Sequence, residues 1–199
     1  MNIVFDLGAV VFNWQPEEIL DKLFTNDIVL QKIIREEIFG HPDWIELDRG
    51  TLTQDVAIKR AQKRSGLTYI EIERVFKEVP ISLVPLEDTR KLLESIKDSD
   101  NRFYILSNMH VEFIEHLERE NKFLDMFDGR VISCRINKVK PEREIYEHLL
   151  NEFDLIAHET VFIDDMEENV QAASEFGIKT IHFSNAEHCE SELRRMNFI

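Results

Sequence analysis

The sequence predicts an α/β fold, a doubly wound parallel sheet with helices on both faces and a small all-helical cap inserted after the first strand. Three observations carry this. Four short apolar runs, residues 2–5, 103–106, 160–163 and 180–183, are rich in β-branched and aromatic residues and end at polar or turn residues, with a weaker fifth run at 130–133. Between them apolar residues recur at helical spacing, and strands that are apolar on both faces belong to covered parallel sheets. The stretch from Trp14 to Pro85 breaks this rhythm and holds helical patterns alone.

Taken in chain order, the first strand at 2–5 leads into the helical stretch. There Thr53 is placed to cap a helix that runs through Val56, Ala57 and Ala61 to Gly66. Thr68 and Glu71 form a capping box that opens a helix carrying Ile72, Val75, Phe76 and Val79. Residues 14–85 are too many for a loop, so they form the cap, and residues 1–13 and 86–199 form the catalytic core. Pro85 suits the first turn of a helix with Leu86, Thr89, Leu92, Leu93 and Ile96 on one face. After the second strand come the stripe Val111, Ile114, Leu117, then the weak strand, then Ile145, Leu149, Leu150 and Phe153. The fourth strand is followed by Val170, Ala173 and Phe176, with Gly177 ending that helix before the last strand.

Composition narrows the function classes. The chain has 199 residues, 43% of them hydrophobic, 32% charged, with a net charge of −15. That is globular, and too acidic for the basic footprint of a nucleic-acid binder or an anionic-membrane binder. No apolar run has membrane-spanning length and the start carries no signal-peptide pattern, so a cytoplasmic protein with neither nucleic-acid nor membrane partner is expected. Cys134 and Cys189 read as reduced thiols, and His182 and His188 as surface or strand-end residues. An anionic substrate would be repelled by the whole-protein field and needs a local cation.

In open parallel sheets ligands bind beyond the carboxyl ends of the strands. Asp6 follows the first strand, Ser107 and Asn108 the second, Lys140-Pro141 the weak strand, and Asp164 and Asp165 the fourth. Each alone reads as a helix cap or an exposed turn. Together they bring a carboxylate, a hydroxyl, a lysine and a carboxylate pair into one crevice.

Phe5-Asp6-Leu7-Gly8-Ala9-Val10-Val11, Leu106-Ser107-Asn108, Lys140-Pro141 and Phe162-Ile163-Asp164-Asp165 with Asn169 resemble the four motifs of the haloacid dehalogenase-like hydrolase superfamily, whose core is Rossmann-like. The Asp-Leu-Gly-x-Val form, and Asp48-Arg49-Gly50 in the cap, are most similar to bacterial phosphatases acting on α-glucose 1-phosphate. The resemblance implies a Mg²⁺-dependent phosphatase of a small phosphorylated metabolite, such as a sugar 1-phosphate. In it Asp6 is the nucleophile that becomes an aspartyl phosphate, and Lys140 is its catalytic partner. Mg²⁺ is implied on Asp6, the Gly8 carbonyl, Asp164 and Asp165, while Ser107, the Asn108 backbone and Lys140 hold phosphoryl oxygens. Mg²⁺ and Lys140 then supply the local positive focus.

Most phosphatases of the superfamily carry a second Asp two residues after the nucleophile, as general acid and base. Here that residue is Gly8. Proton transfer is left unassigned: His110, Glu46 and Asp48 are candidate substitutes, but each reads first as a solvated side chain, so the leaving oxygen departs largely unprotonated or takes its proton from water. Aspartyl-phosphate formation, read as kcat/KM, is then expected to depend steeply on leaving-group acidity. The same departure keeps two alternatives open, a metal-independent 2-haloacid dehalogenase and a catalytically weak phosphometabolite-binding protein. The Asp164-Asp165 pair argues against the dehalogenase, since halide displacement needs no cation. Trp14, Trp44, Glu46, Asp48 and Arg49 are candidates for the pocket mouth.

Overall fold

The computed structural model describes residues 1–97 and 101–199. Five parallel strands, β1 (Asn2–Phe5), β2 (Arg102–Ser107), β3 (Gly129–Ile132), β4 (Thr160–Asp164) and β5 (Lys179–His182), form one sheet in the order β3-β2-β1-β4-β5. With β1 central, the chain builds outward to β3 and then crosses back to β4. This reversal opens a crevice at the carboxyl ends of β1, β2 and β4.

Period-two alternation explains the two-layer covering. Ile3, Phe5, Phe103, Ile105, Val161 and Ile163 face one core, which α6 (Glu87–Ile96), α7 (Val111–Glu120) and α11 (Ala186–Arg195) share. Val4, Tyr104, Leu106, Val131 and Phe162 face the other, against Ile145, Tyr146 and Leu149 of α9 (Arg143–Glu152) and Ala173 of α10 (Glu167–Ser174). Phe162 is fully buried, so truncating it to Ala is expected to cost about 3–5 kcal/mol.

The expected strands are all present, with shifted ends. Ser107 pairs with Ile132 and Asp164 with His182, so both are the last residues of their ladders rather than the first loop residues. Phe183 lies one residue past β5, its N–H still donating to the Asp164 carbonyl (2.8 Å), and Ser133 leaves β3 because it opens the short helix α8 (Ser133–Ile136). Pro85 precedes α6 rather than sitting in its first turn. It pairs with Phe12 in an isolated bridge, and Leu86 is the N-cap, its N–H bonded to the Val11 carbonyl (2.8 Å).

Between β1 and β2 lie α1 (Pro16–Leu23), α2 (Ile28–Ile34), α3 (Pro42–Arg49), α4 (Gln54–Ser65) and α5 (Tyr69–Ser82), with a single π-helical turn at Arg35–Phe39. The capping box at Thr68 and Glu71 is formed on both sides. Thr53 caps α4 without a side-chain hydrogen bond, and Gly66 ends it in the left-handed conformation at φ +76°. Phe76 of α5 reaches Phe113 of α7 (centroids 6.4 Å apart), which seats the helical insertion over the crevice.

Candidate active site

The carboxyl ends of β1 and β4 bring Asp6 and Asp164 to the lysine that follows α8. Lys140 Nζ lies 2.9 Å from Asp6 Oδ1 and 2.6 Å from Asp164 Oδ2. All three side chains are almost wholly buried. Burial is the largest influence on Asp6 and raises its pKa to about 7, with Asp164 and Asp165 adding to the rise and Lys140 opposing it. Burial also works against the Lys140 ammonium, but Asp6 and Asp164 outweigh it and hold the lysine above its ordinary value.

Neighbouring groups fix this cluster. Asn108 accepts from the Lys140 backbone N–H through Oδ1 (2.8 Å) and donates through Nδ2 to the Lys140 carbonyl (3.0 Å). Its side chain therefore locks the lysine's main chain, at the cis Lys140-Pro141 bond, a part that the sequence does not reveal. Asn169 Nδ2 donates to both oxygens of Asp164 (3.0 and 3.1 Å), and the Met166 N–H donates to Oδ1 (2.8 Å). Ser107 is buried at the tip of β2 and its Oγ has no hydrogen-bond partner among the described residues, so it is free to accept or donate to a ligand.

Asp6, Asp164 and Asp165 each offer a carboxylate oxygen, and these oxygens lie within 4.8 Å of one another. An all-oxygen set of this kind suits a hard divalent cation such as Mg²⁺. Burial, and then the charge of Asp164, raises the Asp165 pKa, and a cation would relieve that crowding. The two acids of the pair are not equivalent. Asp164 is fully buried and tied down, whereas Asp165 is partly open and lines the cavity above.

That cavity encloses about 260 Å³ between the crevice and the helical insertion. Its floor is Asp6, Gly8, Asn108, Lys140 and Asp165. The rest of its wall is largely apolar, with Trp14, Trp44, Ile45, Val79, Leu83, Met109, Phe113 and Met166, interrupted by Asp48, Glu168 and Asn169. Trp14 and Trp44 stack at 5.9 Å. Of the residues expected at the mouth, Trp14, Trp44 and Asp48 line the cavity. Arg49 turns away to a bidentate ion pair with Glu142 (2.6 and 2.7 Å), and Glu46 bonds Thr51 at 2.5 Å.

His110 and Asp48 are not the solvated side chains that the sequence suggests. His110 is 1% exposed, its ring stacked on Phe113 (4.3 Å) and beside Trp44 (4.4 Å). Burial brings its pKa down to about 3, so the ring is neutral. Asp48 is 8% exposed, with Oδ1 3.4 Å from His110 Nε2. Burial raises its pKa well above the carboxylate range, Asp6 adds to the rise and Lys140 opposes it. Both residues are buried because the insertion packs onto α7, a long-range contact with no local signature.

A haloacid dehalogenase-like hydrolase family model matches residues 43–183. The sesquiterpene phosphatase astK of Aspergillus oryzae is 31% identical over 97% of this chain and 94% of its own length. The D-ribitol-5-phosphate phosphatase of Bacteroides thetaiotaomicron is 28% identical over 96% of each chain. A crystal structure of a Bacteroides thetaiotaomicron family member, in complex with magnesium and inorganic phosphate, superposes with a TM-score of 0.74 at 23% identity, covering 94% of this chain and 98% of that one. No helix among the described residues is long and apolar enough to cross a membrane. By the extent of the family match and the similarity along the whole chain, the protein belongs to the haloacid dehalogenase-like hydrolases.

Proposed function

We propose that this hydrolase is a Mg²⁺-dependent phosphatase that cleaves a small phosphorylated metabolite through an aspartyl phosphate on Asp6. The observation that carries the reading is the convergence of Asp6, Lys140, Asp164 and Asp165 beneath one cavity. Asp6 attacks phosphorus, and water then attacks the aspartyl phosphate and restores the carboxylate. Lys140, the Ser107 hydroxyl and the Asn108 backbone bind the phosphoryl oxygens and orient them for in-line attack. Asn108 and Asn169 hold Lys140 and Asp164 in place. Mg²⁺, held by Asp6, the Gly8 carbonyl, Asp164 and Asp165, would neutralise charge on the phosphoryl group. A dehalogenase has no use for three converging carboxylates, and a mere binding protein has no use for one aimed at phosphorus.

A sugar 1-phosphate is the finer reading that the motif resemblance supports. The cavity wall favours a second, the phosphate ester of an apolar alcohol. Hydroxyl-rich sugars need hydrogen-bonding partners, and beyond the floor the wall offers Asp48, Glu168 and Asn169 among a majority of Trp, Phe, Met and aliphatic side chains. The Aspergillus oryzae relative is named for a terpenoid substrate, the Bacteroides one for a polyol phosphate. The test is phosphate release from glucose 1-phosphate, ribitol 5-phosphate and farnesyl monophosphate, each with Mg²⁺ and with EDTA. Release that EDTA abolishes supports the phosphatase. A higher kcat/KM for farnesyl monophosphate supports the apolar class, and a higher one for glucose 1-phosphate supports the sugar.

A further inference from the structure

The reaction leaves one proton unaccounted for. An alkoxide leaving group must be protonated, and on the core side of the cavity Gly8 has no side chain to do it. A Cβ built at Gly8 would face only Trp14, at 3.8 Å. The opposite side of the cavity carries Asp48, at the end of α3.

Asp48 is held over the crevice by its own main chain and its neighbours. Ser133 Oγ donates to the Asp48 carbonyl (2.5 Å), and Asn137 Nδ2 donates to the Arg49 carbonyl (2.9 Å). Arg49 grips Glu142 through two hydrogen bonds, and Gly50 sits so close to α8 that a Cβ there would collide with the Cys134 carbonyl. The insertion is thus fastened to the core on both sides of Asp48. Among the described residues no arginine or amide donor meets the Asp48 carboxyl. The groups that face it are neutral His110 at 3.4 Å, the Cys134 thiol, the Asp6 carboxyl and the Lys140 ammonium, which the other acids already engage.

We propose that Asp48 is the proton donor and acceptor of the reaction, supplied by the cap in place of the side chain missing at Gly8, with His110 as its positioning residue. The proposal rests on the phosphatase reading. In the first half-reaction Asp6 Oδ forms a bond to phosphorus while the P–O bond to the leaving group breaks. The Asp48 carboxyl proton passes to the leaving oxygen, and the alcohol departs neutral. In the second, water attacks the aspartyl phosphate as the Asp48 carboxylate takes its proton. Phosphate departs, and the Asp6 carboxylate and the Asp48 carboxyl are both restored. Wild-type turnover then depends only weakly on leaving-group acidity, the opposite of what Gly8 alone suggests.

The test is a series of phosphate monoesters of similar size, from 4-nitrophenyl phosphate to a primary alkyl phosphate, assayed by kcat/KM in wild type and Asp48→Asn. The variant is expected to lose about 10²–10⁴-fold on the alkyl ester, the usual worth of general acid catalysis, and less than tenfold on the nitrophenyl ester. The ratio of the two substrates does not depend on how much of a preparation is folded, so misfolding cannot mimic this result. Gly8→Asp added to Asp48→Asn is expected to recover the alkyl ester, since the position has room and φ is not left-handed. Equal losses on both esters, or a steep wild-type series, overturn Asp48 as the proton donor while leaving the phosphatase intact. No phosphate release from any ester by wild type overturns both.

Discussion

Replacing Lys140 by Met keeps the length of the side chain and removes the cation that Asp6 and Asp164 share. The ammonium contacts them at 2.9 and 2.6 Å, and its side chain is 1% exposed. Removing one partner of a buried ion pair typically costs about 3–5 kcal/mol, because the remaining charge is stranded. The deficit is expected to be larger at pH 8 in EDTA than at pH 5. The sign of its pH dependence follows from Asp6, whose pKa of about 7 lies above its unfolded value. A carboxyl raised in this way keeps a proton that the unfolded chain has released, so its contribution to stability falls as pH rises. Loss of Lys140 raises Asp6 further and extends that fall to higher pH. At pH 5 Asp6 is protonated in both proteins, and the deficit shrinks. Urea denaturation of wild type and Lys140→Met at the two pH values measures this directly. A deficit under about 1 kcal/mol at pH 8, within the range of an exposed pair, or an equal deficit at both pH values, refutes the reasoning.

Two further perturbations probe the acids and the buried histidine. Asp165→Asn is expected to lower Mg²⁺ affinity, measured calorimetrically with a phosphate mimic present, while the metal-free protein unfolds cooperatively and is no less stable. The reason is that burial and Asp164 already disfavour the Asp165 charge; unchanged affinity would remove Asp165 from the metal site. His110, lowered to about 3 by burial, contributes stability that is lost as pH falls below its unfolded pKa. Between pH 7 and pH 5 wild type should therefore lose about 2 kcal/mol more than His110→Leu, at about 1.4 kcal/mol per pH unit below the unfolded pKa. Parallel curves would mean that the ring is not held neutral.

Local sequence carried much of this molecule. Short apolar runs mark all five strands because a sheet covered on both faces demands them, and Asp6, Ser107 and Asp164 are found from the strand tips alone. The capping box at Thr68 is a four-residue signal and is equally plain. What the sequence hides depends on long-range packing. The clasp of Asn108 on the Lys140 backbone spans two separate loops. The burial of His110 and Asp48 depends on α3 docking between α7 and α8, which no periodicity reports. Asp164 and Asp165 look alike in sequence, and only the fold makes one a fixed strand-end residue and the other a cavity wall. The apolar part of the cavity wall is assembled from five separate segments, each of which alone looks like ordinary core.

The central claim is that Asp6 carries the phosphoryl group. Acid quenching during turnover of 4-nitrophenyl phosphate with Mg²⁺, followed by borohydride reduction and peptide mass spectrometry, tests it directly. The account predicts homoserine at position 6, formed from the aspartyl phosphate, in wild type and no trapped adduct in Asp6→Asn, whose turnover falls by several orders of magnitude. Steady turnover with no modification at Asp6, or with the adduct on another residue, would contradict it.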